Sequence, residues 1–418
     1  MAPAVAVGLA ALRPDRARAI ALQLGAEAGS AEEAAADEAL WQLVREAFAI
    51  DPGIVNLNNG GVSPAPEGVL ASQLRRLTAA NRAPAHTLWR VQGPERERVR
   101  RQVAEAFGCD AEELALTRNT TEGMVTVQLG LELEPGAEVL TTSQDYHRMI
   151  AAFRQRERRE GVVMRQVALP PADAGEGAVV RAFDEAITPR TRLILMCHVI
   201  NLNGRILPVA DVVRAARQRG VPVAVDGAHA FANIPFSHAD LGCDVYAASL
   251  HKWLCAPVGT GLLYVRRELI PRIWPLLGAR EELDSDIRKF EEIGTHPEAA
   301  VLAIPEALAF HDAIGARRKH ARLLHLRNRW ARRLAEHPRV RLLTDLRPGA
   351  AIGLATFAAD GIDPREMVAE LWQRHRILVA AIAHPEVRGV RVSPSVYTTV
   401  DELDRFCAAV EELLDRAG

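Results

Sequence analysis

Residues 249–261, SLHKWLCAPVGTG, set a lysine among Ser, His and a Gly-Thr-Gly turn directly after the apolar run DVYAAS. Most lysines lie on solvated surfaces, but one at the end of a buried strand is held in a partly apolar pocket. There its pKa falls, and the neutral amine can condense with a carbonyl to form a Schiff base. Asp226 closes a second apolar run, VAVDGAHAF, where an unpaired carboxylate would be costly. It is either a helix cap or ion-pair partner, or it faces the protonated nitrogen of a pyridine ring. In the second case the ion pair keeps a ring such as that of pyridoxal 5′-phosphate (PLP) cationic, so that it withdraws electrons from a substrate Cα. Lys252 is then the expected attachment point and Asp226 the expected ring partner.

Strands and helices must bring these residues together. From about residue 95 the two alternate. A charged amphipathic helix over 95–107 is followed by EELALTRN, a short strand. A helix over 120–129 has Thr120 and Thr121 as candidate N-caps. AEVLTTS reads as a strand, and 147–160 as a helix whose arginines Arg154, Arg156, Arg158 and Arg159 form a solvated face. RLILMCHVI, VPVAVDGA and DVYAAS are continuous apolar runs, as expected of parallel strands buried on both faces. The helix PVADVVRAARQRG separates the first two. This pattern predicts an α/β fold, a mainly parallel sheet flanked by helices. Ligands of such sheets bind at the carboxyl ends of the strands, which points to Asn201, Asp226 and Lys252. After about residue 275, longer helices over 298–314, 317–336, 363–375 and 399–416 alternate with the short strands RVRLL, AIGLATF and GVRVS. The expected organisation is an Ala-rich extension over 1–40, a large domain over 41–275 whose N-terminal segment touches the small domain, and a smaller α+β C-terminal domain over 276–418.

The 418 residues carry a formal net charge of −2, which gives no global attraction to nucleic acid or to an anionic membrane. The five cysteines form no CxxC pair and no zinc-like spacing. They read as small buried residues in a reducing compartment. The apolar residues 2–12 precede Arg13, Arg16 and Arg18, the reverse of a secretory signal, and no stretch is long enough to span a bilayer. A cytoplasmic location is expected. No dinucleotide-binding turn, phosphate loop or HExxH-type metal pattern is present.

The segments LNNGGVSPAP, RNTTEG, SQDYHRM, VDGAHAF, SLHKWLCAPVGTG and RKFEEIGTHP resemble the class V aminotransferase family of fold-type I PLP enzymes. More narrowly they resemble its isopenicillin N epimerase-like branch, from about residue 50 to the C-terminus. The resemblance implies a fold-type I architecture with PLP on Lys252 and Asp226 at the ring nitrogen. It implies His229 and Asn201 near the ring or its O3′, and Tyr146 stacked on the ring face. Thr120 and Thr121, which open a helix whose free amides attract anions, would hold the phosphate with Ser249 and His251. Gly294-Thr295 would reach the phosphate of a neighbouring subunit, which implies a homodimer with active sites at the interface. Arg391 would hold the substrate carboxylate, a task suited to a bidentate guanidinium. Arg90 and the loop over 58–61, including Asn59, would line the substrate entrance.

Lys252, once released, can remove a Cα proton, a step shared by racemisation, transamination and β-elimination. Racemisation by two bases needs a proton donor on the opposite ring face, for which Tyr146 and His147 are the local candidates. β-Elimination from a cysteine conjugate or its sulfoxide needs only Lys252 and a leaving group. A desulfurase needs a mobile nucleophilic cysteine near the carboxylate-binding segment; AAIAHPEVRGVRVSP has none, and Cys407 falls in a helix. The reading is therefore an epimerase-like enzyme labilising the Cα–H of an α-amino acid, a small-molecule substrate. A carbon–sulfur lyase is nearly level with it and transamination trails. A non-catalytic binding protein is opposed by the joint presence of Lys252, Asp226 and Arg391.

Overall fold

The computed structural model describes residues 30–416. The apolar residues 2–12, the arginines after them and most of the expected extension lie outside the described residues. In chain order the helices used below are α1 (Ala31–Ala36), α2 (Glu38–Arg45), α3 (Glu67–Arg82), α4 (Gly93–Phe107), α5 (Thr120–Gly130) and α6 (His147–Glu160). They continue with α7 (Glu176–Ala186), α8 (Val209–Gln218), α9 (Ile304–Ile314), α10 (Ala316–Ala335), α11 (Pro364–His375) and α12 (Val400–Arg416). The strands begin with β1 (Val55–Asn56), β2 (Leu114–Thr117), β3 (Glu138–Thr142), β4 (Val163–Val167), β5 (Thr191–Cys197), β6 (Val223–Asp226) and β7 (Val245–Ser249). They end with β8 (Gly261–Val265), β9 (Val340–Leu342), β10 (Ala355–Ala359), β11 (Ile377–Leu378), β12 (Ala380–Ala383) and β13 (Arg388–Val392).

The apolar runs become the centre of a seven-stranded sheet in the order β2-β8-β7-β6-β5-β3-β4. Strands β4, β3, β5, β6 and β7 are parallel. Strand β8 runs antiparallel to both β7 and β2. Every residue of β3, β6 and β7 is buried, because helices cover both faces and leave no side of the pleat for solvent. The chain adds β4 outside β3, then returns to place β5 on β3's other edge. Strand order therefore reverses between β3 and β5, and the carboxyl ends there open into a crevice.

A second, antiparallel sheet has the order β12-β13-β10-β9. It packs against α10 and α12 through Trp330, Phe357 and Phe406, whose ring centroids lie 5.8–6.3 Å apart. The change of core falls within α10, where Leu323 belongs to the first apolar cluster and Leu326 to the second. Helix α9 packs with the first cluster. Strand β1 pairs in parallel with β11, and Val55 and Leu57 are buried in the second core. This anchors the loop that follows β1 beside β13.

Two local expectations are corrected. The side chain that caps α5 is that of Asn119, accepting from the Glu122 amide; Thr120 and Thr121 are the first helical residues, their amides free for other partners. Arg156 is not part of a solvated face. It is buried and donates to the carbonyls of Gln128 and Leu131 at 2.7 Å, satisfying the last turn of α5, while Arg154, Arg158 and Arg159 are exposed. Among the described residues no helix is long and apolar enough to cross a membrane.

Candidate active site

Four parallel strands deliver side chains to one cavity of about 260 Å³ at their carboxyl ends. Tyr146 follows β3, Asn201 follows β5, Asp226 ends β6, and Ser249, His251 and Lys252 end and follow β7; all line the cavity. His229 enters from the turn after β6, Thr120 and Thr121 from the start of α5, and Arg391 from β13 of the smaller sheet. The turn after Asp226 requires glycine: a Cβ on Gly227 would lie 2.0 Å from the Tyr246 ring.

Lys252 Nζ lies 3.3 Å from His229 Nε2. Burial, helped by the Arg391 charge, lowers the Lys252 ammonium to about 8, although Asp226 opposes the shift. Burial also drives His229 well below the usual imidazole range, so a neutral ring faces the lysine amine. Asp226 accepts from the Ala228 amide at 3.0 Å, and burial raises its carboxyl to about 6 despite that bond and the Lys252 charge. A buried carboxylate so placed is ready for a cationic partner inside the cavity.

An anion cup lies beside this group. Ser249 Oγ accepts from the Thr120 amide at 2.9 Å and lies 2.8 Å from Thr120 Oγ1. His251 Nδ1 is tied to the Thr260 carbonyl at 3.1 Å. The Thr121 amide and the dipole of the α5 N-terminus favour a phosphate here. Gly261 lets β8 approach closely, since a Cβ would lie 2.8 Å from the Asn119 backbone.

Arg391 is held from behind by neutral groups, donating to the Asn201 carbonyl at 2.9 Å and to Asn58 Oδ1 at 3.2 Å. Burial lowers its guanidinium to about 10. Its Nε, together with Asn201 Oδ1 and His229 Nδ1, has no protein partner. Such buried groups require partners from a ligand or solvent. The site thus offers an amine, a carboxylate, an anion cup and a carboxylate-binding guanidinium. That donor set fits PLP together with an amino acid.

Two expected residues lie elsewhere. Asn59 does not line the entrance: it is fully buried, donating to the carbonyls of Asn56 and Ser393 and accepting from the Tyr397 hydroxyl at 2.6 Å. Its neighbours Gly60 and Gly61 line the cavity instead. Arg90 is exposed in a π-helical turn over Thr87–Gln92, away from the cavity. Thr295, expected at the phosphate of a neighbouring subunit, is exposed on this chain. Asn119, Cys197, Val199 and Ala228 complete the lining. Asn119 and Val199 are immediate neighbours of motif positions; Cys197 pairs in register with Asp226.

Residues 55–406 match the model of the aminotransferase class-V family. The chain belongs to that family. This class-V chain is 32% identical over 392 residues to isopenicillin N epimerase of Streptomyces clavuligerus, covering 89% of its own length and 98% of the relative's. It is 27% identical over 353 residues to a probable cysteine desulfurase of Vibrio cholerae, covering 79% and 85%. Among solved structures, an apo cysteine desulfurase from Thermococcus onnurineus NA1 is similar with a TM-score of 0.79 at 24% identity, covering 89% of this chain and 98% of the other. The cystine C–S lyase C-DES with cysteine persulfide is similar with a TM-score of 0.75 at 24% identity, covering 88% and 97%. The class-V chain shares with these structures the fold-type I architecture, a mainly parallel sheet between helical layers.

Proposed function

We propose that this protein labilises the Cα–H of an α-amino acid and epimerises it, with Lys252 and Tyr146 as the two proton-handling groups. The coarser statement needs no proposal: the chain is a PLP-dependent enzyme of the class-V family. Bound PLP supplies electron withdrawal from the substrate Cα. In this reading Lys252 is its attachment point, and Asp226 faces the ring nitrogen. His229 and Asn201 border the ring, while Thr120, Thr121, Ser249 and His251 hold the phosphate. Arg391 orients the substrate carboxylate.

One observation carries the choice of epimerisation. Lys252 follows β7 and Tyr146 follows β3, three places apart in the sheet, about 14 Å at ordinary strand spacing. Both groups nonetheless line one cavity, and removal and return of a proton on different faces needs two such groups. Tyr146 lies close enough to Arg391 to act on its charge, so the phenol also borders the carboxylate pocket. The 32% identity to an isopenicillin N epimerase supports the same reading.

Carbon–sulfur lysis is the second reading, since it needs only Lys252 and a leaving group. Persulfide transfer to a protein cysteine has less support. Cys197 alone of the five cysteines lines the cavity, and burial beside Asp145 and Asp226 pushes its thiol well above the usual range, leaving no thiolate nucleophile. Incubation with amino acids and S-substituted cysteines in deuterated water, followed by NMR and polarimetry, separates the readings. Epimerisation gives Cα deuteration with loss of optical rotation. Pyruvate and ammonia from cysteine conjugates would replace it with lysis.

A further inference from the structure

We propose that Asp145 is a positioning residue that rivets the Tyr146 loop to strand β5 across the crevice where strand order reverses. The ladder between β3 and β5 runs only from Glu138↔Thr191 to Leu140↔Ile194; beyond it the strands part to make room for the site. Asp145 spans that parting. Its Oδ2 accepts from the Thr142 amide at 2.6 Å and the Thr141 hydroxyl at 2.8 Å, both on β3. Its Oδ1 accepts from the Cys197 amide on β5 at 2.7 Å. Cys197 is in turn the register partner of Asp226. One carboxylate thus joins the residue before Tyr146 to the residue beside Asp226.

Asp145 is buried, and these donors are all neutral. A buried carboxylate bound by neutral donors costs stability unless its geometry is used, and a simple sheet staple could be built from uncharged groups. The placement supplies the use. Tyr146 and Asp226 must keep a fixed separation if one stacks on a ring while the other meets its edge. Catalytic groups lose efficiency steeply when displaced by about 1 Å. The inference rests on the cofactor reading above, but its first readout does not.

That readout is amide hydrogen exchange of the cofactor-free protein. Asp145→Asn keeps an acceptor for Cys197 but replaces the oxygen that receives two bonds from β3. It is expected to raise exchange at residues 145–149 by ~10-fold or more, the effect of one lost hydrogen bond. The same variant is expected to bind PLP ~10-fold more weakly, with kcat lowered ~10- to 100-fold and substrate KM within ~3-fold. Glu138→Gln, at the other end of β3, is expected to leave exchange at 145–149, PLP affinity and kcat unchanged. Unchanged exchange and PLP affinity in Asp145→Asn would overturn the proposal. If the variant does not fold, Thr141→Val removes a single donor and is expected to weaken PLP binding ~3-fold; wild-type affinity there would overturn it equally. A wild-type protein that takes up no PLP, together with faster exchange in Asp145→Asn, would sink the cofactor reading while leaving the rivet intact.

Discussion

The seam between β3 and β5 ends in a buried carboxylate at each edge of the sheet, and the two are solvated by opposite means. At the amino edge Glu138 accepts from Thr188 Oγ1 at 2.7 Å, from Arg190 Nη2 at 2.6 Å and from Arg165 Nη1 at 3.0 Å. Burial opposes its ionisation, yet these bonds outweigh burial and hold the carboxyl down to about 2. At the carboxyl edge Asp145 has only neutral donors, and burial pushes its carboxyl up. Nearby Asp226 is likewise raised, to about 6, through burial. At the amino edge the Glu138 carboxylate is thus closed into an ion-pair network. The carboxyl edge holds charge that its own residues do not neutralise. The sheet's amino end is closed by arginines, whereas its carboxyl end leaves the Asp226 carboxylate and the Lys252 amine facing a cavity that Arg391 enters from the smaller sheet. That imbalance locates the site independently of any motif.

The largest test of the contrast removes groups from the carboxyl edge. Lys252→Ala is expected to lose the visible absorbance of the PLP-loaded protein and to reduce kcat/KM by roughly 10⁴-fold or more, since it removes both the anchor and the base. Retained colour and turnover would refute its role. Asp226→Asn leaves a ring cation without its buried partner, a loss of about 3 kcal/mol or ~10²-fold in turnover, measured by steady-state kinetics. Arg391→Lys keeps the charge but not the fork. KM for the amino acid is expected to rise roughly 10- to 100-fold, one charge-assisted hydrogen bond, with kcat changed much less. A KM within twofold would place the carboxylate elsewhere.

The carboxyl edge also has a pH signature of its own. With Lys252 lowered to about 8, reconstitution of the cofactor-free protein with PLP should accelerate as pH rises through 8, because only the neutral amine attacks the aldehyde. With Asp226 raised to about 6, the folded state binds more protons than the unfolded state between about pH 4 and 6, so the cofactor-free protein loses stability as pH rises there. PLP supplies the missing cation, so the rise in Tm on adding it should grow across the same window. Asp226→Asn should flatten that growth. A wild-type Tm increment independent of pH between 4.5 and 7 would contradict the assignment.

How much of this was legible in the sequence follows from which partners are local. RLILMCHVI, VPVAVDGA and DVYAAS announce buried parallel strands because both faces are covered, and residues at their ends fall into the site almost automatically. Asn201, Asp226 and Lys252 are of this kind, Tyr146 follows the strand AEVLTTS, and Thr120 opens the helix after EELALTRN. Residues whose role depends on distant partners were not legible. Asn59 and Gly60 are adjacent in LNNGG, yet Ser393 and Tyr397, more than 300 positions away, turn the first inward and leave the second to line the cavity. Arg156 lies in a run of arginines with the periodicity of an exposed face, and only the approach of α5's last turn buries it. Asp145 stands inside SQDYHRM, but its decisive donor, the Cys197 amide, is 52 residues on. Arg90, expected at the entrance with the loop over 58–61, lies exposed in a π-helical turn and is not among the cavity lining.

The smallest effect is expected at the amino edge, and it carries the opposite sign. Glu138→Gln removes the charge but preserves the shape, so the loss is that of charge-assisted bonds to Arg165 and Arg190. Those arginines are 40% and 71% exposed, so solvent screens the pairs and the loss should be about 1 kcal/mol rather than several. In a denaturation experiment at pH 7 the midpoint should fall while the slope stays constant. A carboxyl held at about 2 in the fold contributes stability that is complete above the unfolded carboxyl pKa near 4.3 and lost as pH falls toward 2. The wild-type advantage over Glu138→Gln should therefore be constant from pH 7 to about 5.5 and shrink below 4.5. PLP affinity should be unchanged throughout. If the gap instead widened with acid, or if Glu138→Gln weakened PLP binding as Asp145→Asn is expected to, the two ends of the seam would be one coupled network, and the division between a closed edge and a reactive one would not hold.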